Sequence, residues 1–327
     1  MDTIIGKEEL LEEAGSLIRA GQLVAFPTET VYGLGADATN EKAVASIFEA
    51  KGRPQDNPLI VHIASADELK NVAREVPESA YELMSIFSPG PLTIVLKKQN
   101  GIPKITTGGL DTVGIRIPDH PLALKLIRSA GVPVAAPSAN RSGRISPTEA
   151  EHVYEDMRGR IPMILDGGKT RVGIESTVLD LTKETPIILR PGAVTAEMLA
   201  PFLGKVKTKG GEVLVAEAPG MKYRHYAPVC PASGVKDART AKEIYNRQLS
   251  AGRHPVIIAG EELLRDVPGQ YAVLSLGSSP ESAMGSLFSS LRKAEKVYDF
   301  ILLQWFDAEE YASLQNRIEK ACGGNCF

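Results

Sequence analysis

The sequence predicts an α/β protein of two domains: first a mixed, twisted sheet with flanking helices, then a smaller Rossmann-like α/β domain. Three observations lead there. Apolar periodicity switches repeatedly between the helical period of 3.6 and short β-type runs. Over residues 1–203 several predicted strands follow one another with no helix between them, which favours a mixed sheet over strict βαβ winding. Beyond residue 231 strands and helices alternate, as in a small parallel three-layer unit.

In order along the chain, helices are expected over 7–20, 40–50, 66–75, 78–87, 120–130 and 147–157, several opening at Asn, Asp or Pro as helix starts require. Strands are expected over 22–27, 58–64, 92–98, 113–117, 133–137, 162–166, 177–182 and 186–190, each a short apolar run bounded by turn residues. Residues 204–231 break the pattern: Gly204-Lys-Val-Lys-Thr-Lys-Gly-Gly211 is polar, and Ala218-Pro-Gly-Met-Lys-Tyr-Arg-His-Tyr-Ala-Pro228 has no periodicity, so the stretch reads as a linker. The second domain, 232–327, then shows helix 239–249, strand 254–259, helix 261–265, strand 271–276, helix 280–296, strand 299–304 and helix 308–321.

The 327 residues carry 37 Lys+Arg against 40 Asp+Glu, a formal net charge of −3, so no global field draws the chain to nucleic acid or an anionic membrane. Any polyanion must meet a local cluster. The N-terminus carries Glu8, Glu9, Glu12 and Glu13 where a secretory leader needs basic and then apolar residues, and no apolar run approaches the ~18 residues of a membrane span. Three cysteines form no complete disulfide set, which makes the cytoplasm the expected compartment and a membrane role unexpected.

Several reactive patterns are missing: no GxSxG elbow, no HExxH, and no zinc spacing among five histidines and three cysteines. Gly167-Gly-Lys-Thr170 resembles the end of a P-loop, but Met163 stands where its first glycine belongs. Gly33-Leu-Gly-Ala-Asp-Ala38 fits a dinucleotide pattern, yet the acidic ribose ligand expected about 20 residues on is replaced by the cationic Lys51-Gly-Arg-Pro54.

What remains is a set of cations in Gly- and Pro-rich junctions: Lys51, Arg53, Arg116, Arg141, Arg144, Lys169, Arg171, Arg190, Lys222 and Arg224. Hydroxyls accompany them, as in Pro27-Thr-Glu-Thr30, Ser138-Ala-Asn-Arg-Ser142 and Ile174-Glu-Ser-Thr177. Loops at strand ends carry ligand contacts in α/β sheets, and forked guanidinium groups with hydroxyl donors suit phosphate or carboxylate. The residues therefore point to a nucleotide and a small anionic substrate. Each cation taken singly also has a structural reading: Lys51 and Arg53 complement the end of helix 40–50, and His62 in Leu59-Ile-Val-His-Ile63 suits a satisfied core histidine.

Together, Pro27-Thr-Glu-Thr-Val-Tyr-Gly-Leu-Gly35, Lys51-Gly-Arg-Pro54, Asn57-Pro-Leu-Ile-Val-His62, Ser88-Pro-Gly-Pro-Leu-Thr93, Val113-Gly-Ile-Arg-Ile-Pro118, Ser138-Ala-Asn-Arg-Ser-Gly143, Glu175-Ser-Thr-Val178 and Leu189-Arg-Pro-Gly192 resemble the YrdC/Sua5 family of threonylcarbamoyl-AMP synthases. The match runs in order over about residues 7–200 and makes 1–203 a YrdC-like catalytic domain. Gly220-Met-Lys-Tyr-Arg-His-Tyr-Ala-Pro228 and the βαβ region after it look like the linker or lid, 204–231, and C-terminal domain of the longer Sua5-type members. Ser88 departs from the aromatic residue often found before Pro-Gly-Pro-Leu-Thr.

The resemblance implies a nucleotidyl transfer in which L-threonine, bicarbonate and ATP give threonylcarbamoyl-AMP, pyrophosphate and water, for the threonylcarbamoyl modification of adenosine 37 in tRNA by downstream transfer proteins. It implies a threonine site of Thr30, His62, Arg116, the backbone at Ala136, and Ser176. It implies an ATP site of Arg53, Asn57, Thr112, Ser138, Asn140, Ser146, Arg190 and Tyr226, with Lys51 as the catalytic cation. Mg2+ is expected with the ATP, held mostly by phosphate and water because no carboxylate cluster marks a protein site. Weak RNA binding stays open, since the shared domain's concave face is basic in some relatives.

Overall fold

In the computed structural model, residues 2–209 and 225–327 are described. They form two compact units. One holds the residues as far as Ser142, then Pro147–Arg171 and those from Glu175 to Lys209; the other holds Gly143–Ser146, Val172–Ile174 and those from His225 onward. Among the described residues no helix is long and apolar enough to cross a membrane. Most of the segment read as a linker, 210–224 with Lys222 and Arg224, lies outside the described residues. Its beginning contributes strand Lys207–Thr208, parallel to Ile187–Arg190.

The first unit is built on a mixed sheet, in the order Ile4–Gly6, Met163–Leu165, Val24–Phe26, Gly33–Asp37, Val134–Ala135, Ile60–His62, Thr112–Arg116, Leu92–Lys98, Thr177–Asp180, Ile187–Arg190 and Lys207–Thr208; Ala73–Arg74 pairs with Leu92–Lys98 to the side. Strand side chains alternate between faces, and the register sorts the sequence cleanly. Leu34, Ala36, Val61, Ile94, Leu96, Val113, Ile115, Ala135, Leu179 and Ile188 face the main core. Their alternates face the other way. There Val24, Phe26, Val134, Ala136, Met163 and Leu165 pack under helices Leu11–Arg19 and Pro121–Ala130, while His62, Arg116 and Thr93 stand farther along the same face.

Gly33–Asp37 is a central strand that the sequence reading missed, because its glycines resemble a phosphate loop. The glycines answer a packing demand instead. A Cβ on Gly35 would stand 2.8 Å from the Phe26 ring, 2.9 Å from Val134 Cγ1 and 3.2 Å from the Val24 carbonyl oxygen, so the ring lying across this face leaves room only for hydrogen. The helix expected over 66–75 is shorter, Leu69–Val72 after a turn of 3-10 helix, because Ala73–Arg74 leaves to pair with the sheet. Helix Ala196–Leu203, which the sequence reading did not include, opens at Thr195, whose side chain accepts from the Met198 amide.

The second unit carries a parallel sheet in the order Ala232–Val235, Phe300–Gln304, Pro255–Ala259, Val273–Ser275. Helices Ala238–Ser250, Pro280–Val297 and Ala312–Cys322 connect or follow these strands. The short strand 232–235 escaped sequence detection, since Ala-Ser-Gly-Val carries little apolar signal. Pro280–Val297 begins with a full capping box, Ser279 and Ser282 each accepting from the other's backbone amide.

Gly35→Ala should destabilise the first unit by about 1–3 kcal/mol, the usual cost of overpacking. Denaturant unfolding checks this, and unchanged stability would show that the Phe26 ring can move aside.

Candidate active site

Pairing His62 with Arg116 on adjacent parallel strands, and His62 with Val134 on the other side, brings residues far apart in sequence to one level of the sheet. Thr93 and Arg190 join that level, both paired with Val178. Farther along the same face the register passes Ala136, whose amide donates to the Ile60 carbonyl at 2.9 Å, and reaches Ser138 opposite Gly33 and Thr112 at the start of its strand. One face thus collects Thr112, His62, Arg116, Ala136 and Arg190 from the residues that the resemblance assigns.

Arg116 is buried; its Nε donates to the Gly90 carbonyl at 3.1 Å, and its Nη2 lies 2.7 Å from Glu29 Oε2. Glu29 sits in the loop between strands Val24–Phe26 and Gly33–Asp37, which folds back over the face to reach that guanidinium. The contact is an ion pair by distance, yet neither Glu29 oxygen nor Arg116 Nη2 completes a hydrogen bond. In the same loop Thr28 Oγ1 donates to the Val31 carbonyl at 2.7 Å and lies 2.8 Å from Thr30 Oγ1, fixing the Thr30 hydroxyl.

His62 is buried edge-on to Phe26, ring centroids 6.1 Å apart, and its Nδ1 has no hydrogen-bond partner. Burial, and then the Arg116 charge, push its pKa down to about 3, so the ring is neutral at physiological pH. Ser176 is fully buried: its hydroxyl lies 2.8 Å from Thr93 Oγ1 and accepts from Arg190 Nη2 at 3.1 Å, while Arg190 Nε donates to the Ser176 carbonyl at 3.0 Å.

Lys51 ends helix Glu41–Lys51, whose C-cap Gly52 adopts the left-handed conformation. Its buried ammonium donates to the carbonyls of Ser138 and Asn140, and Ser138 Oγ in turn donates to Asn140 Oδ1 at 2.5 Å. Burial, reinforced by Arg53, lowers the Lys51 pKa well below the usual lysine value. Arg53 Nη2 donates to the carbonyls of Asn57 (3.4 Å) and Pro58 (3.2 Å), closing its own loop, and Asn57 Oδ1 is buried without a partner. A carboxamide oxygen left unsatisfied in the interior is costly unless something else supplies a donor.

Ser146 and Tyr226 belong to the second unit. Tyr226, at φ 62°, is buried with its ring stacked on Phe288 (centroids 5.1 Å, 27° between planes) and the Arg317 guanidinium 5.9 Å from the ring centre. The neighbouring Arg144 pairs with Glu295 at 2.7 Å, and Arg292 donates to the Ile145 carbonyl at 2.6 Å. Two residues escaped the sequence reading. Glu29 lies inside the quoted Thr-Glu-Thr motif but received no role, although a carboxylate in a loop set lined by cations already asks for a cation partner. Thr93 was quoted too, and only the sheet register shows it beside Ser176.

Two family models cover the chain. One, Sua5/YciO/YrdC, described as "Telomere recombination", matches residues 16–192; the other, "Threonylcarbamoyl-AMP synthase, C-terminal domain", matches 194–323. The threonylcarbamoyl-AMP synthase of Pyrococcus abyssi is 46% identical over 99% of this chain and 98% of its own length, and that of Bacillus subtilis 43% over 99% and 96%. The crystal structure of P. abyssi Sua5 complexed with L-threonine matches with a TM-score of 0.93 at 43% identity, covering 100% of this chain and 99% of that one. A mixed sheet with one apolar face and one face of buried cations and hydroxyls is thus a YrdC-type catalytic domain. The chain belongs to the Sua5/YrdC family of threonylcarbamoyl-AMP synthases.

His62 predicts a pH signature. Its pKa is about 3 in the fold against a reference of 6.5, so between these values the unfolded chain binds a proton that the folded protein refuses. Stability from this group is complete above pH 6.5 and is lost as pH falls towards 3, by up to about 1.4 kcal/mol per pH unit. His62→Asn should flatten that slope in unfolding curves taken between these limits.

Proposed function

We propose a division of labour along this sheet face for the synthesis of threonylcarbamoyl-AMP. The chain is a nucleotidyl transferase of the family's kind, making the activated threonylcarbamoyl group used in tRNA modification. Threonine, bicarbonate and ATP are its substrates: threonine's amine takes up bicarbonate's carbon as a carbamate, and the carbamate oxygen attacks the α-phosphorus of ATP, expelling pyrophosphate. The attacking atom is supplied by substrate, so the protein needs no nucleophile; positioning and charge neutralisation suffice.

The observation that carries the assignment is Arg116. A buried guanidinium whose ion pair lacks hydrogen-bond geometry can exchange that partner for a substrate carboxylate able to use the fork. The His62 ring is neutral and adds no charge beside Arg116, and Arg190 at the same level is turned to Ser176, which leaves the Arg116 fork for the carboxylate. Thr30 and Ser176 offer hydroxyls, held by Thr28 and by Arg190 with Thr93, for the substrate's polar groups, and Ala136 lines the same face.

Arg53, Asn57, Thr112, Ser138 and Asn140 are assigned to the nucleotide, with Arg190 between the two halves. The unsatisfied Asn57 oxygen suits an exocyclic amine or hydroxyl donor. Lys51, with its ammonium turned to the Ser138 and Asn140 carbonyls, serves the nucleotide through the loop it holds and the charge it places behind it. The magnesium complex of ATP is assigned as the substrate form, with phosphate and water as most of its ligands. A cytoplasmic location accords with the three free thiols, and tRNA-modifying proteins that accept the labile adenylate are the proposed downstream partners.

Purified protein given ATP, bicarbonate and L-threonine should release pyrophosphate only when threonine is present; threonine-independent or absent release would falsify the synthase assignment. Arg116→Lys, which keeps the charge and loses the fork, should raise the KM for threonine about 100-fold and leave that for ATP within about twofold. Alanine is the poorer probe, since it would leave the Glu29 carboxylate buried without its cation, at a cost of about 3–5 kcal/mol.

A further inference from the structure

We infer that Glu29 is the receptor for the threonine ammonium and the acceptor of its proton. The inference rests on the synthase reading and assigns a further residue to its chemistry. Glu29 is 2% exposed, and both of its carboxylate oxygens lack a hydrogen-bond partner. A carboxylate in that state is costly unless a donor or cation completes it. Arg116 supplies charge at 2.7 Å without hydrogen-bond geometry, so the pair is half-made at both ends.

An α-amino acid zwitterion matches that pair. Its carboxylate and ammonium sit on one carbon, as Glu29 and Arg116 sit side by side across the sheet face. Seated against them in the opposite sense, the substrate gives its carboxylate to the Arg116 fork and its ammonium to Glu29, and four alternating charges replace two imperfectly paired ones. Arg116 and His120, in the turn after the Arg116 strand, bear on Glu29 electrostatically, and His62 bears on Arg116. Both histidines have lowered pKa values, mainly through burial, so neither competes as a cation for the carboxylate at neutral pH.

The chemistry needs such a group. A protonated amine has no lone pair for carbon. With threonine seated, its ammonium gives one proton to Glu29, leaving a neutral amine and a carboxylic acid. The amine lone pair then forms the N–C bond to bicarbonate, a C–O bond breaks, and water leaves with one amine hydrogen and the bicarbonate hydroxyl. The resulting carbamate oxygen forms the O–P bond to the α-phosphorus as pyrophosphate departs. The proton on Glu29 passes to solvent when the product leaves.

Glu29→Gln keeps the shape and removes the charge. With wild type run in parallel, the variant should raise the threonine KM about 10–100-fold at pH 7.5 while the ATP KM stays within about twofold. Raising the pH to about 9.5 should recover about tenfold of the loss, because the free amine then enters without needing a proton acceptor. The histidines are already neutral across that window, and Lys51, at the other end of the register, titrates alike in both proteins. An unchanged threonine KM in a folded variant, an equal rise for both substrates, or a loss that pH does not relieve overturns the role of Glu29. Should Glu29→Gln fail to fold, Glu29→Asp carries the test: a raised threonine KM, an unmoved ATP KM and the wild-type pH profile support the role, and equal losses on both substrates overturn it. A wild type silent towards threonine overturns the synthase reading, and the inference with it. An active wild type beside an unaffected variant overturns the inference alone.

Discussion

The first unit is organised by the need to compensate four cations held out of water. Lys51, Arg53, Arg116 and Arg190 are each nine-tenths or more buried, and a charge in the interior has to be met by an opposite charge or by oriented dipoles. Their hydrogen bonds run largely to backbone carbonyls: Ser138 and Asn140 for Lys51, Asn57 and Pro58 for Arg53, Gly90 for Arg116, Ser176 for Arg190. The bonds of Lys51, Arg116 and Arg190 tie a loop to the helix or strand bearing the cation, and those of Arg53 close its own loop. The loops so held are the ones expected to meet ligand, so the groups that bind anions also set the shape of the place where anions bind. Carbonyl dipoles neutralise a cation only in part, which leaves positive potential for phosphate or carboxylate.

Sheet alternation makes the arrangement possible. One set of alternate residues supplies Val61, Ile115 and Ala135 to the core, and the other set supplies His62 and Arg116 to the site. The polar face also takes part in packing. Part of it is sealed by two helices over Phe26, Val134 and Ala136, and glycine at position 35 lets the Phe26 ring lie flat there, edge-on to His62. That contact is part of the burial that, with the Arg116 charge, keeps His62 neutral. Position 114, on the same face, is glycine as well, and a Cβ there would meet Thr93 Cγ2 at 3.1 Å. Thr93 can therefore stand next to Ser176.

Much of this was legible in the sequence. The strands at 92–98 and 113–117 and the helices at 40–50, 78–87 and 120–130 carry unambiguous periodicity, and the structure has them within a residue or so. The segments that misled are those whose composition is set by neighbours rather than by their own backbone: Gly33–Asp37 reads as a phosphate loop because its side chains were removed to fit Phe26. Residues 143–146 and 172–174 read as parts of the first domain because sequence shows only chain neighbours. Their packing is with residues after 225: Gly173 stands so close to helix Pro280–Val297 that a Cβ would lie 2.5 Å from the Met284 carbonyl oxygen.

By itself the sequence determined the fold class, the order of most elements, and the roster of cations and hydroxyls at strand ends, because periodicity, turn residues and residue chemistry are local properties. It also carried the motifs from which the family could be read. Only the tertiary structure decided which of those groups share a face, that Lys51 is turned to the 138–140 loop, and that a carboxylate with no assigned role, Glu29, stands 2.7 Å from the guanidinium expected to hold substrate. The physical reason is register. A one-residue shift of the strand bearing His62 or of the strand bearing Arg116 would turn that side chain into the core, and that register is settled by contacts between residues tens of positions apart, which no local pattern records.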